Sequence, residues 1–368
     1  MKTIFVLAAA TLALSACSKQ SLTPKARPHF FVEDKNASIF KGSIPSIPYD
    51  VEACRKRIEE LVCLVDPEVQ GEDSIARPCL TEVDTTPAVK SLQATYDAYP
   101  PALQKTFCSL GRIFLEKKSV GTAYAGTTPD GSQSIMGFRA ELLLGNAPSL
   151  SSWVSWKEQL SFGGPKDYTT RDDLVKVEST STLAAPANDF VYFVIAHEFG
   201  HVLDFQHKVN DWACVEVGDK HEKECTPKSG SWPELSWSKS YQNKEIPADD
   251  PWGLSLWVPN ESAAFVNRGE LCFYGCPAGH GTPSLMLGLY TDLQAGTFLT
   301  SYSATNAWDD FAEAVAFYAG TRYTNMQYKV KLPDETEFHL AEKYLNSDQF
   351  RAKREWVENF FTTIEAAH

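Results

Sequence analysis

His197 and His201 stand four residues apart, and Glu198 directly follows the first of them. Four residues is close to one helical turn, so on a helix both imidazoles leave the same face. Each can give one nitrogen to a tetrahedral zinc ion. Glu198 then lies beside the first ligand, within reach of a metal-bound water. Zinc lowers the pKa of such a water toward ~7, and a carboxylate can take its proton. The segment His197-Glu198-Phe199-Gly200-His201 therefore predicts a catalytic zinc site with Glu198 as general base. The competing reading is a structural or vestigial site. Gly200 has no Cβ and leaves room for another backbone to approach.

A catalytic zinc site needs a third protein ligand and one open position. His207 has the spacing of the third histidine in metzincins such as the astacins, but that family has glycine where this chain has Asp204. Without the glycine the helix runs on, and His207 points about two thirds of a turn away from His201. Ser284-Leu285-Met286 is only a weak counterpart of the metzincin methionine turn.

The better source lies downstream, in Ser301-Tyr302, Thr305-Asn306, Asp309 and Phe311-Ala312-Glu313-Ala314. This segment resembles the anthrax lethal factor-like zinc endopeptidases, a gluzincin-type group. There a Ser-Tyr pair precedes Thr-Asn, an acidic zinc ligand and Phe-Ala-Glu-Ala. The resemblance implies that Tyr302 steadies an oxyanion, that Asp309 is the third ligand, and that Glu313 stands behind the ligands. It covers Phe193 to Asp204 and Tyr302 to Ala314 well, and Arg112 to Leu144 loosely. The family ligand is normally Glu; Asp309 is one methylene shorter. Either the helix sits closer, or Glu313 takes the ligand position, because residues at i and i+4 share a face. Asp309 is favoured. Asp204 lies on the same face as both histidines and, like Glu313, can accept a histidine's other nitrogen. Its alternative partner is Lys208.

These residues need elements to hold them. Asn188 to Lys208 reads as a helix capped by Asn188 or Asp189 and apolar almost all round, hence buried. Trp308 to Thr321 reads as a second helix, with closing helices over Glu335 to Leu345 and Asp348 to Ala367. Gln133 to Leu144 alternates as a strand with one buried face, either a candidate edge for an extended peptide or an internal strand with no substrate role, and Arg112 to Leu115 and Thr122 to Tyr124 read as strand. Pro48 to Val65 reads as a helix, and Pro87 to Phe107 as helices broken at Pro100-Pro101. Asn210 to Pro283 is loop-like, with four cysteines and Trp212, Trp232, Trp237, Trp252 and Trp257. Its tryptophans are expected to pack it onto the core rather than to form a lid. The fold expected is α+β: a zincin-like metallopeptidase domain over 111–368, with a small antiparallel or mixed sheet over the active-site helix and a disulfide-braced insert at 209–285. A helical region at 47–110 precedes it.

The N-terminus carries Lys2, an apolar run from Ile4 to Leu14, and Leu14-Ser15-Ala16-Cys17. It resembles a bacterial lipobox: residues 1–16 as signal peptide, Cys17 acylated as a lipid anchor, and 17–46 as a tether. Ser18 after the cysteine favours the outer membrane by the same resemblance. Cysteines 54, 63, 79 and 108 precede the active-site helix, and 214, 225, 272 and 276 follow it. In an exported chain they predict disulfides, most simply paired within each half. A formal charge of -13 argues against nucleic acid as a partner. The function expected is zinc-dependent hydrolysis of extracytoplasmic proteins or peptides. Cell-wall peptide hydrolysis and non-catalytic zinc binding at the surface are the alternatives.

Overall fold

The computed structural model describes residues 45–66, 79–117, 121–128, 132–166, 168–184, 187–218, 221–246, 250, 253–263, 265–276 and 280–366. The expected signal peptide, Cys17 and nearly all of the tether lie outside them.

Helix α1 (Val51–Leu61) is capped by Asp50, whose carboxylate accepts from the Ala53 amide at 2.8 Å. It does not continue to Val65. Val62–Val65 is strand β1, because this apolar run, with valine at each end, pairs in parallel with β2 (Leu110–Glu116). Helices α2 (Thr86–Ala98) and α3 (Pro101–Ser109) are separated at Tyr99-Pro100, where proline forces extended backbone. Cys54 and Cys108, and Cys63 and Cys79, lie at disulfide distance and tie this region together.

Strands β3 (Ala123–Thr127) and β4 (Ser134–Arg139) complete a mixed sheet of order β1-β2-β4-β3. The first three strands in that order are parallel, and β3 runs antiparallel on the edge. Strand β4, expected to bury one face, is the internal strand of the two alternatives and is buried on both faces. It ends at Arg139, and Ala140–Leu143 (α4) is a single helical turn.

Helix α5 (Leu150–Leu160) lies on β5 (Lys176–Thr180), where Ser151 and Ser155 exchange hydrogen bonds with the backbone of Ser179 and Val177. These serines, four apart, fasten the helix to an edge strand. Helix α6 (Asp189–His207) carries the His-Glu-x-x-His segment. Asn188 caps it, accepting from Val191 N, and Lys208 ends it in the left-handed region at φ 53°. It packs beside edge strand β3 and most extensively against a later helix, α8 (Ala307–Thr324).

The 209–285 insert is more ordered than its composition suggested. Strands β6 (Trp212–Val217), β7 (Glu222–Pro227), β8 (Trp237–Gln242) and β9 (Trp257–Pro259) form an antiparallel sheet in chain order. Cys214 and Cys225 are directly opposed across β6 and β7 and lie at disulfide distance, as do Cys272 and Cys276. Each strand pairs with the next in the chain, and no single strand is apolar enough to announce itself. The tryptophan rings pack inward: Trp232 and Trp237 are fully buried, and Trp232 meets Phe311 and Trp356 edge-on. Trp252 lies outside the described residues.

Ser284-Leu285-Met286 is not a turn but the start of helix α7 (Pro283–Ala295). Helix α8 spans Ala307–Thr324. Strands β10 (Gln327–Lys331) and β11 (Glu337–His339) join β5 in an antiparallel sheet, so Glu335 to Leu345 is not helical throughout. Helices α9 (Leu340–Asn346) and α10 (Arg351–Ala366) close the chain. One apolar core runs from Cys54 to Phe361, through both the 47–110 region and the insert. The fold is mixed α and β with small sheets. No helix among the described residues is long and apolar enough to cross a membrane.

Candidate metal centre

The site lies where α6 crosses α8. The crossing is close because of Gly200: a Cβ there would sit 2.5 Å from the Ala312 Cα, inside any real contact. The missing side chain lets the backbones touch and brings the side chains of α8 onto those of α6.

His197, His201 and Asp309 converge. One donor atom from each lies within 4.8 Å of the others. Asp309 Oδ1 is 3.4 Å from His201 Nε2 and 3.8 Å from His197 Nε2. Asp309 Oδ2 is turned away and held by Asn306 Nδ2 at 2.6 Å and Thr305 Oγ1 at 3.1 Å. Asn306 also caps α8, its Oδ1 accepting from the amides of Trp308 and Asp309. One side chain thus starts the helix and orients its acid. Burial opposes charge on Asp309, but the two imidazoles hold its carboxyl well below the usual range. Two imidazoles and a carboxylate, buried and facing one point, can hold a metal ion.

Glu313 takes a different place. Its Oε2 accepts from Thr300 Oγ1 at 2.9 Å. Its Oε1 lies 3.0 Å from Lys157 Nζ and 3.0 Å from His197 Nδ1, the latter off the axis of the ring N–H. Burial disfavours its charge, yet Lys157 and His197 bring the carboxyl down to about 2. Between the two candidate acids, it is Asp309 that joins the histidines' outward nitrogens, while Glu313 stands behind His197. Burial pushes the His197 imidazole down, but Asp309 and Glu313 prevail and raise it to about 9. A metal must displace that proton.

Glu198 is buried beside the histidines, and its carboxyl is raised mainly by burial. No side chain among the described residues hydrogen-bonds it. Tyr302 is half-buried, its ring 5.8 Å from that of His197 and 5.8 Å from that of Phe273. Asp204 lies at the far end of α6. Its two oxygens accept from the Asn210 amide and Asn210 Nδ2 at 2.7 and 2.8 Å, so it organises the chain leaving the helix. The helix does run on past Asp204, and His207 packs against Phe360 outside the cluster.

Two residues beside the site carried no signal in sequence. Lys157 and Glu158 lie on α5, where a lysine-glutamate pair ordinarily reads as a solvated surface. Instead Lys157 reaches Glu313, and Glu158 is fully buried, accepting from Tyr290 at 2.6 Å and Ser301 at 2.9 Å.

Compared with protein-family models, curated proteins and solved structures, the chain matches none.

Proposed function

We propose that this protein is a zincin-type, zinc-dependent endopeptidase, exported, lipid-anchored at Cys17 in the outer membrane, and acting on extracytoplasmic proteins or peptides. The observation that carries the reading is the convergence of His197 and His201 of α6, the helix that also presents Glu198, with Asp309 of α8. Imidazole-rich donor sets of this kind suit zinc among the common cations. Cysteine pairs at disulfide distance fit an oxidising compartment outside the cytoplasm.

Zinc held by these three residues would polarise the scissile carbonyl and acidify a water. The remaining steps belong to the chain. Glu198 accepts the attacking water's proton and returns it to the leaving amine. Burial raises its carboxyl toward the range in which a base serves near neutral pH. Tyr302, whose ring lies 5.8 Å from that of His197, donates its hydroxyl to the oxygen that gains charge. Strand β3 is the antiparallel edge beside α6, and its outer backbone groups can pair with an extended peptide.

The decisive experiment is Glu198→Gln. The purified variant is expected to keep its zinc and to lose casein cleavage by ~10²-fold or more. Full activity in that variant would refute the reading, and turnover of peptidoglycan alone would redirect it to cell-wall peptides.

A further inference from the structure

Glu313 is the acid of α8 that could compete with Asp309 for the metal: it shares a helix face with Asp309 and lies 3.0 Å from a ligand histidine. Two contacts keep it back, and the first is Thr300 Oγ1, which donates to Glu313 Oε2 at 2.9 Å. Lys157 Nζ stands 3.0 Å from Glu313 Oε1 and 3.8 Å from the centroid of the Tyr302 ring, so one ammonium contacts both the acid and the tyrosine. It is largely buried, with 14% of its side chain exposed, so solvent screens it little.

The helix that carries it is not free to move. Ser151 and Ser155 fasten α5 to the backbone of β5. The next residue, Glu158, binds Ser301, immediately before Tyr302, and Ser301 also meets Ser161 at 2.8 Å. Helix α5 therefore holds the Tyr302 segment by its backbone neighbour and by its ring, through two consecutive residues. A lysine placed for charge alone would need only the carboxylate.

We propose that Lys157 is a positioning residue: it holds Glu313 against His197 and out of the coordination sphere, so that Asp309 completes the site, and it seats the Tyr302 ring. The inference rests on the metal-site reading above. Partners of ligand histidines typically govern metal affinity ~10–100-fold, and Lys157 acts on His197 through Glu313.

The test is zinc affinity by chelator competition, with the absorption spectrum of the cobalt-substituted protein as a second readout. Lys157→Met is expected to bind zinc ~10–100-fold more weakly and to change the cobalt spectrum as Glu313 is released toward the metal. Lys157→Arg, which keeps the charge, should largely restore both. The double variant Lys157→Met/Glu313→Gln should be no weaker than Glu313→Gln alone, because the lysine works through the glutamate. Circular dichroism of the metal-free proteins checks folding; if Lys157→Met does not fold, Lys157→Gln takes its place in the same measurements. Wild-type affinity and spectrum in the variant would overturn the role of Lys157, as would losses that simply multiply in the double variant. Wild-type protein that binds neither metal would instead overturn the metal site itself.

Discussion

Asp309 and Asp310 leave helix α8 about 100° apart, both buried, and meet opposite surroundings. Asp310 has a resident cation. Lys353 Nζ lies 2.6 Å from each of its oxygens, inside a cage of Trp232 and Phe298, and Trp237 Nε1 donates to Oδ2. Asp309 faces two imidazoles, groups that bind metals as readily as protons. One acid is neutralised by the chain and serves the fold. The other faces two histidines with which it could hold a metal ion. Neighbours in sequence thus acquire separate roles because a helix sends them to different sides.

The contrast is testable by exchanging losses. Asp309→Asn should reduce zinc affinity by more than the ~100-fold expected for a residue behind the ligands, measured by chelator competition, while costing the metal-free protein less stability in urea than Asp310→Asn does. Asp310→Asn should do the reverse. It leaves Lys353 charged and buried without its partner, a loss of about 3–5 kcal/mol in urea unfolding, with zinc affinity unchanged in the folded protein. If both variants lose metal and stability together, the division between the two acids is wrong.

A smaller effect concerns the second lysine near Asp310. Burial, with Lys353 beside it, brings Lys343 down to about 7 from 10.5. It donates to the carbonyls of Leu293 and Phe298. The unfolded chain holds this proton up to about pH 10.5 and the folded chain releases it near 7. Stability from this group is therefore lowest below pH 7 and rises as pH climbs through that window. Urea midpoints should increase from pH 7 to about 9, and Lys343→Met should flatten the rise. An unchanged slope in the variant would assign the dependence to other groups.

Sequence reading reached furthest where the information is local. The α6 helix, its Asn188 cap, the shared face of His197 and His201, and the continuation of the helix past Asp204 all follow from contacts within a few residues. So does the pairing of Asp309 with Glu313 on one face of α8. The strands were less legible. Val62–Val65 is extended because β2 lies beside it, and β4 is interior because β2 and β3 flank it. The insert is sheet because short strands met partners that their own residues do not specify.

By itself, the sequence determined that a histidine pair with an adjacent glutamate sits on a buried helix, and that a second acidic helix follows. The tertiary structure alone decided which acid faces the histidines. That choice depends on Gly200 meeting Ala312 and on Lys157 meeting Glu313 across 156 residues. Helical periodicity reports which side chains share a face, but not what stands opposite, because the opposing residue is supplied by a chain segment that only folding brings near.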